Sequence, residues 1–285
     1  MKYAFFGSPE FAAIILERLI GADMPPALLV CNPDRPVGRK KILTAPAAKQ
    51  SVLAQDESVR ERIEVAQPEK PKEIEEMLRK GNFDLFIVAA YGNIIPKSVL
   101  SIPRLGTVGV HPSLLPKFRG ATPIQSALIS GEEQTGVSLF VVDEKVDHGA
   151  ILNMETLEES LHAMNYATLH DALARLGADM LIKTLPRIER ALEDALPQNE
   201  SAATFTKKFE SQDGFVDEKD LEAATSGANK AKAIELDRKI RALNPEPGVY
   251  TIKDGVRTKL LEADIIDGKL VLRVIQVAGK TPKAL

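Results

Sequence analysis

His111 and Asp147 are the residues of this 285-residue chain whose types and settings best fit proton chemistry. His111 opens the run His111-Pro112-Ser113-Leu114-Leu115-Pro116-Lys117-Phe118-Arg119-Gly120, just after the apolar residues 107–110. Two prolines in an apolar turn stiffen it, and a stiff turn aims a side chain. Asp147 lies in Asp143-Glu144-Lys145-Val146-Asp147-His148-Gly149, past the apolar residues 135–142. Imidazole exchanges protons near neutral pH. A carboxylate beside it orients the ring and favours the imidazolium. Taken singly, His111 reads as a packed histidine and Asp147 as a turn residue bonding its own backbone. Taken together, on loops after neighbouring strands of a parallel sheet, they are expected to meet at the carboxyl edge, where α/β folds bind ligands. His148 ranks below His111 because no shaping motif surrounds it. His162 and His170 fall in or near a helical stretch with no partner pattern.

The elements that must carry these residues follow from apolar patterning. Residues 2–6 read as a buried strand broken by Gly7, with Ser8 as helix cap and Pro9 in the first helical position. That helix runs to about residue 20 and stops at Gly21. Residues 27–31, 85–89, 107–110 and 135–142 are further strand-like runs, and residues 69–80 are helical in pattern. This βαβ rhythm predicts a mostly parallel sheet covered on both faces. Thr122 and Pro123 start another helix that Gly131 ends. Residues 166–194 are helical, with a break at Pro186. Polar residues 196–206 read as a linker between a first domain at 1–195 and a second at 207–285. In the second, a helix near 230–243 precedes strand-like runs at 249–253, 258–266 and 269–277. Asp254-Gly255 and Asp267-Gly268 mark the hairpins between them.

Composition narrows the class. Hydrophobic content of 44% and charged content of 27% are those of a soluble globular protein. Aromatics make up 5% with no Trp, so the core must be aliphatic. The lone Cys31 excludes an intrachain disulfide and sits in an apolar run, as a buried strand residue would. No signal or membrane span is visible, so a cytoplasmic protein without membrane contact is expected. A net charge of −3 argues against general nucleic-acid affinity. From Phe205 onward, however, 15 Lys and Arg face 13 Asp and Glu, a mild bias toward a polyanionic partner.

Other motifs are sparse. Phe6-Gly7-Ser8-Pro9-Glu10-Phe11 is a strand–loop–helix junction without the three-glycine dinucleotide fingerprint, so no nicotinamide cofactor is expected. Scattered His and one Cys carry no metal signature. Pro33-Asp34-Arg35-Pro36-Val37-Gly38-Arg39-Lys40-Lys41 is a shaped basic loop able to grip phosphate, or a plain solvated one.

In order and spacing, these pieces resemble the methionyl-tRNA formyltransferase family. They are joined by Gln67-Pro68-Glu69-Lys70, Ala90-Tyr91-Gly92 with Ile95-Pro96, Ile102-Pro103-Arg104-Leu105-Gly106 and Ile240-Arg241-Ala242-Leu243-Asn244-Pro245. The resemblance implies a Rossmann-type formyltransferase domain of mostly parallel sheet, then a small OB-like β domain that helps hold tRNA. It implies 10-formyltetrahydrofolate as co-substrate, initiator methionyl-tRNA as acceptor, no metal, and a monomer acting in translation initiation. His111 and Asp147 become the catalytic pair. Ser113, Leu114, Leu115, Pro116, Ala89, Tyr91 and Asp143 become the folate site. Arg35, Arg39, Lys40 and Lys41 become the acceptor-stem loop. Two departures stand out. The family pattern is Asn-x-His with a distant Asp, whereas Gly109 holds the Asn position here. Loss of one such oxyanion donor typically costs roughly 10²–10³ in rate, and Gly109→Asn is expected to reveal whether something replaces it. The last domain also reads as truncated, with three strands against the five of a full barrel. The alternatives are a formyltransferase acting on a nucleotide-linked amino sugar and a noncatalytic folate- or RNA-binding protein. The basic loop and Arg241-Ala242-Leu243-Asn244-Pro245 favour tRNA.

Overall fold

The strands of the first 157 residues are β1 Tyr3–Phe6, β2 Leu28–Val30, β3 Arg35–Val37, β4 Ile42–Thr44, β5 Glu64–Ala66, β6 Leu85–Val88, β7 Thr107–His111, β8 Gly136–Val141 and β9 Ile151–Thr156, of which β1, β2, β6, β7 and β8 fall on the apolar runs. The computed structural model describes residues 1–38 and 40–285. A seven-stranded sheet runs β5-β2-β1-β6-β7-β8-β9, while β3 and β4 form a separate exposed ribbon. The strands from β5 to β7 are parallel, and β8 is antiparallel to both its neighbours.

That last feature corrects the route by which Asp147 was expected to reach His111. His111 is the final residue of β7 rather than part of the loop after it, and it pairs with Ser138. Val141, at the end of β8, pairs with Val108. The turn bearing Asp147 therefore leaves from the wrong end of the strand. It must double back over roughly three residues, or about 10 Å of strand.

Alternation along the strands assigns their faces. A Cβ on Gly177, in the helix Tyr166–Thr184, would meet Val110 Cγ1 at 2.8 Å and Val137 Cγ1 at 3.4 Å, so these valines face that helix. Gly109 and His111 consequently face the other way. That second face carries the core of Ala4, Phe6, Leu28, Val30, Phe83 and Phe86.

Two compact units share the chain. The first comprises Met1–Arg119, Gly136–Leu157 and His170–Thr204, and contains the seven-stranded sheet. The second comprises Gly120–Thr135, Glu158–Leu169 and Phe205–Leu285. It holds the helices Pro123–Ser130, Glu218–Ser226 and Lys230–Leu243 and the strands β10 Tyr250–Lys253, β11 Val256–Ile266, β12 Lys269–Val277 and β13 Lys283–Ala284. These four strands form an antiparallel sheet in sequence order, one strand more than expected. Asp254-Gly255 and Asp267-Gly268 all have positive φ, as a tight two-residue hairpin turn requires.

Thr122, Pro123 and Gly131 take their expected places around one helix, with Gly131 left-handed at φ 72°. The helix Tyr166–Thr184 gives way to a 3₁₀ turn at Pro186. Ser8 does not cap the first helix, which starts at Glu10 with Pro9 before it. Its hydroxyl instead accepts from Asn32 N at 2.9 Å, tying β1 to the chain after β2. Residues 196–204 are no loose linker. Leu196 bridges Ile151, and Thr204 N donates to Pro116 O at 3.2 Å. Within the first unit Gln198 bonds the Asp147 turn, Glu200 bonds Arg119, and Thr204 bonds Phe118.

Candidate active site

His111 ends β7 as a buried side chain between two oxygens. Its Nε2 lies 2.9 Å from Phe118 O and its Nδ1 lies 3.5 Å from Asp147 Oδ2. A carbonyl only accepts, so Nε2 must carry the proton. A neutral ring then presents a bare Nδ1 to the carboxylate, and only a doubly protonated ring donates on both sides. The 3.5 Å separation is an ion-pair distance, longer than a made hydrogen bond. Nδ1 is thus the ring nitrogen that faces the carboxylate without a made hydrogen bond.

Phe140 stands edge-on to His111, ring centres 6.4 Å apart. It also fills the space next to Gly109: a Cβ there would lie 2.6 Å from Phe140 Cζ and 3.1 Å from Cδ1. The position where the family pattern puts an amide is backed by an aromatic ring, a pairing the sequence reading missed.

The turn after His111 is built from the predicted residues, but several are already engaged. Ser113 is fully buried, and its hydroxyl donates to Lys117 O at 2.6 Å. Ser138 Oγ donates to Ser113 O at 2.8 Å and accepts from Leu115 N at 3.0 Å. Leu114 packs beside Gly136, where a Cβ would come within 2.7 Å of its Cδ2. Ala89 and Tyr91 are buried after β6, with the Tyr91 ring edge-on to Phe6. Burial pushes the Tyr91 phenol above its ordinary pKa. Asp143 accepts from His148 Nδ1 at 2.6 Å and from Lys145 N at 2.8 Å. Asp143 also borders a cavity of about 480 Å³ with Lys97, Leu100, Ser101, Val142, Glu144 and Lys145, which Ser113 to Pro116 do not line.

Arg35 opens the ribbon and pairs with Glu69, while Lys40 and Lys41 are exposed. Arg39 lies outside the described residues. The ribbon's root is pinned by Lys49, whose Nζ bonds both Asp34 oxygens at 2.9 and 3.0 Å and Gln67 Oε1 at 2.7 Å. Gln67 and Lys49 together hold the Asp34 carboxyl below the usual carboxylate range. Arg241, read as a mark of tRNA, is half-buried structure in the second unit. It donates to Asp237 and to the carbonyls of Leu161 and Met164. Among the described residues no group of three or more His, Cys, Asp or Glu could hold a metal ion, and no helix is long and apolar enough to cross a membrane.

Residues 1–185 match the family described as formyl transferase, and residues 230–280 match the formyl transferase C-terminal domain. The chain belongs to the formyl transferase family. A methionyl-tRNA formyltransferase of Staphylococcus epidermidis is 39% identical to this formyl transferase over 273 residues, 94% of this chain and 81% of that protein. Two solved structures share its fold at 16% identity. The methionyl-tRNA formyltransferase from Clostridium thermocellum superposes with a TM-score of 0.59, covering 97% of this chain and 98% of that one. The N-formyltransferase from Helicobacter canadensis, in complex with folinic acid and dTDP-3-aminofucose, reaches 0.63, covering 94% and 88%.

Proposed function

We propose that this formyl transferase moves the formyl group of 10-formyltetrahydrofolate onto the α-amino group of methionine on initiator tRNA, as a cytoplasmic monomer at the start of translation. The observation that carries this reading is the 39% identity to a methionyl-tRNA formyltransferase over 94% of the chain. The shared fold also accommodates enzymes of amino-sugar nucleotides, so the fold by itself does not choose the acceptor.

In the proposed reaction the amine attacks the formyl carbon, and the bond from that carbon to the folate nitrogen breaks. His111, doubly protonated, donates from Nδ1 to the formyl oxygen as negative charge builds there. Asp147 keeps the ring turned and takes the proton that the attacking amine loses, directly or through water. His111 then supplies the proton that the departing folate nitrogen needs. No side chain at 109 shares the oxyanion. The cavity beside Asp143, with Leu100 and Val142 as apolar walls, has the size of a site for a flat heterocycle such as the folate ring. Ser113 to Pro116, Ala89 and Tyr91, which do not line that cavity, complete the folate site in this reading. Residues 1–195 carry the chemistry and 207–285 help hold tRNA.

Turnover with 10-formyltetrahydrofolate and charged initiator tRNA, alongside a dTDP-amino sugar, tests the proposal. Formyl-methionyl-tRNA should form and the sugar should not be modified. His111→Ala and Asp147→Ala should each lose about 10²–10⁴ in rate while remaining folded. Formylation of the sugar alone would reassign the acceptor, and wild-type turnover in either variant would remove the pair.

A further inference from the structure

We infer that Gln198, held by the buried Arg119, is a positioning residue for Asp147. The inference rests on the catalytic pair proposed above. The Asp147 turn leaves β8 beside Val108 and must double back to His111, and it does so with Asp147 at φ 46°, a left-handed conformation uncommon outside glycine. Something must hold such a turn in place.

Gln198 does so with both protons of its amide. Nε2 donates to Asp147 O and to Gly149 O, each at 2.8 Å, clamping the turn on both sides of His148. Its Oε1 accepts from Arg119 Nη2 at 2.7 Å and Nε at 3.1 Å. Arginine only donates and the two carbonyls only accept, so the amide has one possible orientation. Arg119 is only 2% exposed and is itself anchored. Its Nη1 and Nη2 reach Glu200 Oε2 and Oε1 at 3.0 and 2.6 Å, and its backbone N donates to Thr204 O at 2.9 Å.

The same strap also sets the far side of the imidazole. Phe118, whose carbonyl accepts from His111 Nε2, donates its own N–H to Thr204 Oγ1 at 2.8 Å. Residues 198–204 therefore brace the backbone behind the oxygens that face both ring nitrogens, Gln198 at Asp147 and Thr204 at Phe118. Loss of the Gln198 amide should free the turn at Asp147 and Gly149, while the cavity wall at Asp143 keeps its own local bond from Lys145 N.

The test is a double-mutant cycle. Gln198→Met keeps the length of the side chain without its amide, and Gln198→Glu keeps the acceptor for Arg119 but removes both donors. Each should lower kcat by about 10- to 100-fold, the scale expected for a displaced catalytic group. KM for 10-formyltetrahydrofolate and Kd for 5-formyltetrahydrofolate should stay within about twofold, since binding is not disturbed. In an Asp147→Ala background the same changes should cost less than about twofold more, because the group being positioned is gone. Equal losses in both backgrounds, or wild-type kcat in both Gln198 variants while Asp147→Ala is impaired, would overturn the inference alone. Full turnover in Asp147→Ala would overturn the catalytic pair and the inference with it.

Discussion

The Phe140 ring occupies the space that any side chain on Gly109 would enter first, its Cζ only 2.6 Å from where a Cβ would stand. Gly109 and Phe140 are also register partners on β7 and β8, so neither can shift without disturbing the ladder. The missing amide and the aromatic ring are therefore one feature.

This changes what Gly109→Asn should do. Added alone, asparagine should overpack the site, costing about 1–3 kcal/mol of stability in urea unfolding and lowering formyl transfer. Combined with Phe140→Ala it should regain stability relative to Gly109→Asn, and its turnover should exceed that of Phe140→Ala alone. A single Gly109→Asn variant as stable as wild type would show that the ring yields.

The exposed ribbon makes a separate prediction about salt. If Lys40 and Lys41 contact phosphates, each alanine substitution should weaken tRNA binding and lower the slope of log affinity against log salt by about 0.7–0.9. Arg35, paired with Glu69, should matter less than either lysine. Titrations from low to moderate salt decide this, and slopes equal to wild type would make the ribbon an ordinary surface.

Cys31 predicts a dependence on alkaline pH. Burial pushes its thiol up to about 12, with nearby Lys49 lowering it and Asp34 raising it. The unfolded thiol titrates near its ordinary value, so the folded chain retains a proton that the unfolded chain has lost. Stability is then fully present below pH of about 8.5 and falls as pH rises toward 12, by up to about 1.4 kcal/mol per unit. Cys31→Ala should flatten the fall in unfolding free energy across that window. An unchanged slope would place the linkage elsewhere, with Tyr3, whose phenol burial also raises, the next group to replace.

Much of the fold was legible because its signals are short-range. Apolar runs bounded by glycine and proline gave β1, β2, β6, β7 and β8, and Asp-Gly pairs gave the two hairpins. The strands missed, β5 and β9, sit at the sheet's edges, where partial exposure blurs the apolar pattern. The ribbon β3–β4 is exposed on all its β3 residues and left no apolar trace. His111 and Asp147 were found from residue type and stiff flanking motifs, and the structure brings them to 3.5 Å. Gln198 was hidden in polar residues that imitate a linker, and Arg119 gave no sign that a full positive charge would be buried.

The sequence by itself determined many of the helices and strands, which two side chains are candidates for proton transfer, and which family the chain resembles. The first two depend on residues within a few positions of one another, and the third on short motifs kept in order along the chain. Tertiary structure alone decided that β8 reverses direction, that Phe140 fills the space at Gly109, and that an amide 51 residues from Asp147 holds its turn. Those outcomes depend on strand register and on which polar atoms are buried together. Hydrogen-bond partners so distant along the chain are chosen by packing, which no local pattern of residues encodes.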